Sequence, residues 1–317
     1  MDQDDKDLLA RRAKRATRAL GNYQVDQAVA KVRAIIGPSA IPIGETEAQA
    51  AWDKLRNGDA PTPAELTALE MVIRLLRPAP FSHGGQLDDL PDQKEHNLYP
   101  ADLKDQWSRF RGLVNPLLYS IGRINLGSGT HIGTGFLVGD GVLATNRHVL
   151  DDLTLGTEAL TGGQARVVFQ REDGAADKPE HIVDIDGVLS IHDHLDMVLL
   201  SVRKLGRPVV EIDLAPVTEG HRIAAIGYPA KDEVRNPLFV GPVFQNRFGV
   251  KRAALGEVLD GVKSPNLFHD CSTLGGNSGS PLFSLASGKA VGIHRAGFFM
   301  YRNEAIDGAS LRGFVKP

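Results

Sequence analysis

Leu274-Gly275-Gly276-Asn277-Ser278-Gly279-Ser280-Pro281 is the stretch on which the prediction of the fold rests. It places Ser278 between glycines in an otherwise apolar part of the chain. Glycine costs backbone entropy on folding, so several of them together indicate a backbone that must bend sharply. Such a turn exposes the Ser278 hydroxyl as a nucleophile and directs N–H groups at a developing negative charge. Alone, the stretch would be interpreted as a glycine-rich loop.

Two upstream segments change that interpretation. His148 follows Ala144-Thr145-Asn146-Arg147, and Asp196 precedes the apolar run 197–200. Each residue has an ordinary explanation by itself, the histidine as a surface or core residue and the aspartate as a turn residue. Together with Ser278 they follow the chain order His, Asp, Ser. This is one of the known orders in which a general base, an orienting acid and a nucleophile occur along a chain.

With these residues the sequence resembles the trypsin-like, chymotrypsin-fold serine proteases over about residues 115–317. The matching blocks are Gly-Thr-Gly-Phe-Leu-Val at 133–138, Ala-Thr-Asn-Arg-His-Val at 144–149, Asp-Met-Val-Leu at 196–199 and Gly-Asn-Ser-Gly-Ser-Pro at 276–281. The resemblance implies two antiparallel β-barrels with the site in the cleft between them. It also implies that His148 takes the proton of Ser278, that Asp196 orients the imidazole, and that the N–H groups of Gly276 and Ser278 form the oxyanion hole.

Within that fold, residues 269–281 are most similar to the bacterial glutamyl endopeptidases. Those enzymes carry Ser-Thr-x-Gly-Gly-Asn-Ser-Gly-Ser-Pro and a later Gly-Ile-His, which residues 292–294 match. The resemblance implies that Thr273 and His294 line the specificity pocket and hold a substrate carboxylate, and a hydroxyl and an imidazole suit that task. The alternative is that His294 only ends a core strand. Ser272 stands where trypsins carry the aspartate that selects basic residues, which argues against basic specificity.

Two departures from the glutamyl endopeptidases bear on the pocket. Arg295 stands where they often carry tryptophan, and it either helps to bind an acidic side chain or points outward. They also bring a processed N-terminal amine towards the pocket, whereas this chain begins far upstream. Asn277 has no charge with which to pair a new N-terminal ammonium, as the corresponding aspartate of trypsins does. Activation by that route is therefore not expected, and the N-terminal domain can stay attached.

Residues 1–78 have the apolar periodicity of helices and predict a small all-α bundle of about four helices. Thr62-Pro63-Ala64-Glu65 has the pattern of a capping box with proline at the first helical position. The other predicted helices cover about residues 5–20, the run from Val25 to Ile36, and the surroundings of Trp52. This domain is expected to stabilise the rest, to recruit an adaptor or regulator, or to bind an anionic partner, the last being ranked lowest.

Residues 79–114 predict a linker or an ordered strap, followed by one short helix that carries Leu103, Trp107 and Phe110. Glu95 is the expected position of self-cleavage if the segment is a flexible linker. From residue 121 the pattern changes to short strands between turn signals, which indicates an antiparallel barrel or sandwich. The predicted strands are 121–126, 135–138, 166–170, 182–191, 197–202, 222–226, 254–259 and 291–294.

Composition restricts the remaining possibilities. The chain has 317 residues, a net charge of −3 and a single cysteine, Cys271. The charge gives no general attraction to nucleic acid or to anionic lipid, and one cysteine forms no intrachain disulfide. With no signal-peptide pattern and no long apolar run, the expected location is cytoplasmic. We therefore predict a mainly β, cytoplasmic serine endopeptidase without cofactor or metal, cutting peptides after Glu or Asp; the alternative is a non-catalytic barrel that binds peptides.

Overall fold

The computed structural model describes residues 3–20, 45–77, 79–90, 101–231, 240, 243–259, 262–298 and 302–316. The chain divides into two compact units. The first comprises Met1–Pro78, Asp92–Pro100 and Glu233–Asn246, and the second comprises Ala79–Pro91, Ala101–Asp232 and Arg247–Pro317. The functional division into 1–78, 79–114 and 115–317 stays a prediction.

The first unit contains the helices α1 (Gln3–Leu20), α2 (Glu45–Asn57) and α3 (Pro63–Leu76). The predicted capping box starts α3: the Thr62 hydroxyl accepts a hydrogen bond from Glu65 N, and the Glu65 carboxylate accepts one from Thr62 N. Small and aliphatic side chains fill the core with one tryptophan, and they include Ala16, Leu20, Ala51, Trp52, Leu66, Leu69 and Val72. The helix predicted over Val25–Ile36 lies outside the described residues.

The first barrel of the second unit is a closed antiparallel sheet. Its strands are β3 (Ile121–Leu126), β4 (His131–Gly139), β5 (Val142–Thr145), β6 (Ala165–Val168), β7 (Ile182–Ile191) and β8 (Val198–Val202). They follow the order β3-β4-β5-β8-β7-β6. Branched and aromatic side chains alternate inward, and the interior holds Ile124, Leu137, Leu143, Val167, Phe169, Val183, Ile185 and Leu200. Helix α5 (Arg147–Thr154) follows β5 directly.

The second barrel is a curled six-stranded sheet with the order β10-β9-β12-β13-β14-β11. Its strands are β9 (Arg222–Gly227), β10 (Arg252–Glu257), β11 (Asn266–His269), β12 (Pro281–Ser284), β13 (Ala290–Phe298) and β14 (Arg302–Asp307). A bridge between Val258 and His269 joins the two outer strands at one end. Helix α6 (Gly308–Val315) follows β14. The two-barrel prediction and the N-terminal helices are thereby confirmed.

Residues 79–90 form an ordered strap along the edge of β10. Phe81 bridges Arg252, while Ser82 N donates to Lys251 O at 3.1 Å and Ala253 N donates to Pro80 O at 3.0 Å. The strap then turns back through the short strands β1 (Ser82–His83) and β2 (Gln86–Leu87). Its added backbone hydrogen bonds cover an edge that would otherwise be open to pairing with another chain.

Further contacts fix the far side of the strap. Helix α4 (Ala101–Val114) carries Trp107, whose indole N–H donates to Asp88 O at 3.1 Å. The buried Glu172 carboxylate accepts from the Ser82 hydroxyl at 2.5 Å and from Gly85 N at 3.0 Å. The strap is therefore part of the second unit, whereas Glu95 lies outside the described residues.

Two buried polar side chains join the barrels. The Tyr228 hydroxyl, after β9, donates to Ile121 O of β3 at 3.0 Å. The Lys251 ammonium, before β10, donates to Phe169 O at 2.8 Å, and burial lowers the pKa of this lysine to about 7. These contacts hold the inner ends of the barrels together and so fix the relative position of the loops between them.

Candidate active site

The pairing of β5 with β8 brings His148 and Asp196 together. Thr145 lies opposite Val198 in this register, so the residues just beyond each strand meet at the same end of the barrel. The buried Asn146 amide donates to Asp196 O at 2.9 Å and fixes the turn that carries the aspartate. His148 then lies in the first turn of α5, beside Asp196.

Asp196 binds His148 at two points. The carboxylate accepts the His148 backbone N–H at Oδ1 at 3.0 Å, and its Oδ2 lies 2.8 Å from His148 Nδ1. Burial alone would lower the pKa of His148, but the hydrogen bond and charge of Asp196, with smaller contributions from Asp152 and Asp151, raise it above its ordinary value. Burial would raise the pKa of Asp196, and the bonds from His148 lower it instead. The pair is arranged to keep the aspartate ionised and the ring oriented through Nδ1.

Ser278 lies in the loop before β12, which backbone hydrogen bonds hold on both sides. Thr134 N donates to Ser278 O at 2.8 Å, and Gly279 N donates to His294 O at 2.9 Å. Gly279 has φ +87°, and a Cβ there would lie 2.1 Å from Thr134 O, so only glycine fits next to the serine. Within the described residues, no hydrogen bond joins the Ser278 hydroxyl to His148. Such catalytic contacts are often long before substrate binds.

The backbone around Gly276 leaves two N–H groups for a ligand. In the described part of the chain neither Gly276 N nor Ser278 N donates to the protein. Ala230 N donates to Gly275 O at 2.7 Å. Because the carbonyl and the N–H of a trans peptide point in opposite directions, the N–H of Gly276 points away from Ala230. The Thr134 hydroxyl donates to Gly276 O at 2.7 Å and fixes the next peptide. The assignment of these two N–H groups to an oxyanion hole stays a prediction.

His131 supports the same loop from β4, although no sequence pattern pointed to this residue. Gly276 has φ +84°, and a Cβ there would lie 2.4 Å from His131 Cε1, so the ring lies directly against this glycine. Burial, aided by the charge of Arg123, lowers the pKa of His131 to about 4. The ring is therefore neutral at ordinary pH and acts as a packing surface for the Gly276 turn.

His294 lies behind the serine loop and is 2% exposed. Its Nδ1 is 3.0 Å from His269 Nε2, and His269 Nδ1 accepts from Cys271 N at 3.3 Å. Because His269 accepts at Nδ1, its proton is on Nε2 and is donated to His294, whose own proton is then on Nε2. Burial, and then the neighbouring His269 and His148, lower the pKa of His294 well below its ordinary value. His294 is thus an uncharged donor.

Thr273 and Asn303 meet beside Gly297 of β13. A Cβ at Gly297 would lie 3.6 Å from Thr273 Oγ1 and 2.7 Å from Asn303 Oδ1. One N–H of the Asn303 amide donates to Cys271 O at 2.6 Å, and the amide oxygen faces Gly297. Sequence reasoning named Thr273 but missed Asn303, because only the pairing of β13 with β14 brings Asn303 opposite Gly297.

Arg295 has partners on the protein itself. Its guanidinium lies 2.8 Å from the Glu304 carboxylate and donates to Asn266 Oδ1 at 3.3 Å. The cation is therefore paired with an acidic residue of the next strand. A role for Arg295 in binding substrate stays a prediction.

Neither a metal site nor a membrane-spanning helix occurs among the residues that the structure describes. Among them no cluster of His, Cys, Asp and Glu is suited to hold a metal ion. No helix in those parts of the chain has the length and apolarity to cross a membrane.

Comparison with known proteins identifies the family. The family model described as "Trypsin-like peptidase domain" matches residues 133–293, which is more than half of the chain. The chain belongs to the trypsin-like peptidase family. The matched range of this trypsin-like peptidase contains His148, Asp196 and Ser278.

Curated relatives of the trypsin-like peptidase include glutamyl endopeptidases of Staphylococcus aureus. The protein of strain MW2 is 26% identical over 245 residues, covering 74% of this chain and 68% of its own length. That of strain MRSA252 is 25% identical over 244 residues, covering 74% and 62%. The chain thus spans about two thirds of the length of these relatives.

Solved structures similar to the trypsin-like peptidase are more distant. The serine endoprotease from Yersinia pestis aligns with TM-score 0.47 and 19% identity, covering 64% of each chain. An inactive form of Rv3671c from M. tuberculosis H37Rv aligns with TM-score 0.45 and 16% identity, covering 63% of this chain and 87% of that one.

Proposed function

We propose that this trypsin-like peptidase is a serine endopeptidase that uses His148, Asp196 and Ser278 as a triad and cuts after Glu or Asp. The observation that carries the proposal is the two-point bond between Asp196 and His148 at the same end of the barrel as the glycine-framed Ser278. Membership of a peptidase family supports hydrolysis of peptide bonds.

The proposed reaction proceeds by acyl transfer. The Ser278 hydroxyl attacks the carbonyl carbon of the scissile bond, and His148 Nε2 takes its proton. Asp196 stabilises the imidazolium that results, while Gly276 N and Ser278 N bind the oxyanion of the tetrahedral intermediate. His148 then gives the proton to the leaving amine, and a water molecule releases the acyl group from Ser278 by the same steps.

Selection of the residue before the scissile bond is assigned to Thr273 and His294. A side-chain carboxyl in this pocket would accept hydrogen bonds from the Thr273 hydroxyl and from His294 Nε2. The glutamyl endopeptidases of Staphylococcus aureus, at 26% identity, support this choice of residue. We further propose that the enzyme works in the cytoplasm and that the helical unit regulates it or recruits a protein adaptor, with neither nucleic acid nor membrane as a partner.

The proposed specificity is tested with a peptide library and the purified full chain, the cleavage sites being identified by mass spectrometry. We expect Glu before the cut bond more often than Asp, and both more often than Lys, Arg or large apolar residues. His294→Ala should lower kcat/KM on Glu peptides because the carboxyl loses its buried donor, while the midpoint of thermal unfolding changes much less. Cleavage mainly after Lys, Arg or large apolar residues would contradict the specificity, and no cleavage of any peptide would favour a non-catalytic peptide-binding module.

Thr134→Val tests the support of the oxyanion hole. The change keeps the shape of this buried side chain but removes the hydroxyl that donates to Gly276 O at 2.7 Å. We expect kcat to fall by up to about 10²-fold, the low end of what the loss of an oxyanion donor costs, with little change in KM. Thr134→Ser keeps the hydroxyl and should retain most of the rate. Equal kcat for Thr134→Val and wild type would show that Gly276 O needs no side-chain donor.

The pH dependence of cleavage follows from the His148–Asp196 pair. His148 accepts a proton only in its neutral form, and Asp196 raises its pKa above the ordinary 6.5. We therefore expect kcat/KM to fall as pH decreases through a value above 6.5. A pH profile in buffers of constant ionic strength measures this limb. An acid limb well below the ordinary value would mean that His148 does not carry the proton.

A further inference from the structure

The specificity pocket presents uncharged hydrogen-bonding groups on the described residues. His294 donates at Nε2 in its neutral form, because its Nδ1 accepts from His269 and burial disfavours a charge on the ring. Thr273 supplies a hydroxyl, and Asn303 supplies an amide oxygen beside Gly297. Residues 299–301, which the structure does not describe, are Phe, Met and Tyr and carry no charge.

Two cations, Arg295 and Arg302, lie on the other side of β14. Side chains alternate across a strand, so Asn303 and Ala305 share one face while Arg302 and Glu304 share the other. Both Asn303 and Ala305 are buried. Arg295 pairs with Glu304 at 2.8 Å, and Arg302 lies 3.6 Å from the same carboxylate. Neither arginine is on the face that carries Asn303.

The fixed orientation of Asn303 decides which side chain fits. Its nitrogen donates to Cys271 O at 2.6 Å, so the oxygen cannot turn away from the pocket without losing that bond. This oxygen is an acceptor and would repel a carboxylate, but it can accept a hydrogen bond from an amide nitrogen. A carboxylate buried without a cation also carries a large desolvation cost.

We propose that the pocket takes the uncharged side-chain amide of glutamine at least as well as the carboxylate of glutamate. The Gln carbonyl oxygen accepts from His294 Nε2 and from the Thr273 hydroxyl, and the Gln amide nitrogen donates to Asn303 Oδ1. This inference rests on the proposed function, since it concerns the same pocket, and it assigns Asn303 as a specificity-determining residue.

Four peptides that differ only in the residue before the scissile bond, Gln, Glu, Lys or Leu, test the proposal with the full chain at neutral pH. We expect kcat/KM for the Gln peptide to equal or exceed that for the Glu peptide. A preference for Glu over Gln of more than about tenfold would overturn the inference and leave the proposed function standing. Cleavage of the Lys or Leu peptide alone would overturn both.

Two variants separate the assigned groups. Asn303→Ala removes the acceptor, so the Gln-to-Glu ratio of kcat/KM should fall several-fold; an unchanged ratio would overturn the role of Asn303. Arg295→Gln removes one of these two cations, and the ratio should stay as in wild type because this arginine pairs with Glu304 on the opposite face of β14. A selective loss of Glu cleavage in Arg295→Gln would show that this cation binds the substrate carboxylate, and it would overturn the proposal. This test remains available even if Asn303→Ala fails to fold.

Discussion

Ser278→Ala is expected to lower kcat for peptide cleavage by about 10⁶-fold, as removal of the triad nucleophile does in a well-studied protease. The substitution deletes one hydroxyl that makes no hydrogen bond to His148 within the described residues, and it adds no volume to the loop. The free energy of unfolding should therefore change little. Steady-state kinetics on one peptide, with thermal unfolding of both proteins, give the two quantities.

Ser128→Ala is the matched control, because Ser128 is exposed in the turn between β3 and β4. It should keep both the rate and the stability of wild type. Peptide cleavage by Ser278→Ala at an undiminished rate, in protein free of other proteases, would remove Ser278 from the mechanism. A large loss of stability together with the loss of rate would instead assign Ser278 a structural role.

Asp196→Asn is expected to cost about 10⁴-fold in kcat, as the equivalent change does in a well-studied protease. The side chain keeps an oxygen for His148 N, but its amide would donate where the carboxylate accepted, so the His148 proton would move to Nε2. In that tautomer His148 cannot take the serine proton. The acid limb of the pH profile should also move to lower pH, because the charge that raises the pKa of His148 is gone.

Asp193→Asn is the control for Asp196→Asn, since Asp193 is exposed in the same turn and is three residues away. It removes the same charge without touching His148 and should leave kcat within a few-fold of wild type. Similar losses in the two variants would mean that the net charge of the turn, and not the contact with His148, sets the rate.

The framework of the site could be predicted because glycine has few substitutes where backbone segments meet. Gly276 and Gly279 have positive φ and lie against His131 and Thr134, so their spacing around Ser278 carries a structural constraint that is visible in the sequence. The strands with runs of β-branched residues were also predictable, and β3 and β7 have the predicted bounds.

The strands that the sequence did not reveal are short or polar. β11 (Asn266–His269), β12 (Pro281–Ser284) and β14 (Arg302–Asp307) lack a regular alternation of apolar and polar residues, so their own sequences give little sign of a strand. β5 is only four residues long. Such strands are defined by pairing partners rather than by their own composition.

The pocket depends on these unpredicted strands. His269 lies at the end of β11 and Asn303 lies in β14, and both reach the pocket only through the register of the second barrel. The sequence offered His294 as either a pocket residue or a core residue. In the structure His294 is deeply buried and is also hydrogen-bonded to His269. Its side chain therefore combines the burial of a core residue with the hydrogen bonding expected of a pocket residue.

Covalent labelling of Ser278 is the sharpest test of the proposed triad. The full chain is treated with a fluorophosphonate under conditions in which it cleaves peptides, and the adduct is mapped by mass spectrometry beside His148→Ala and Ser128→Ala. The triad predicts a single adduct on Ser278 that inactivates wild type and Ser128→Ala alike and is nearly absent in His148→Ala, because the serine then lacks its base. Continued peptide cleavage with Ser278 unlabelled, or equal labelling of Ser278 in His148→Ala, would contradict the account.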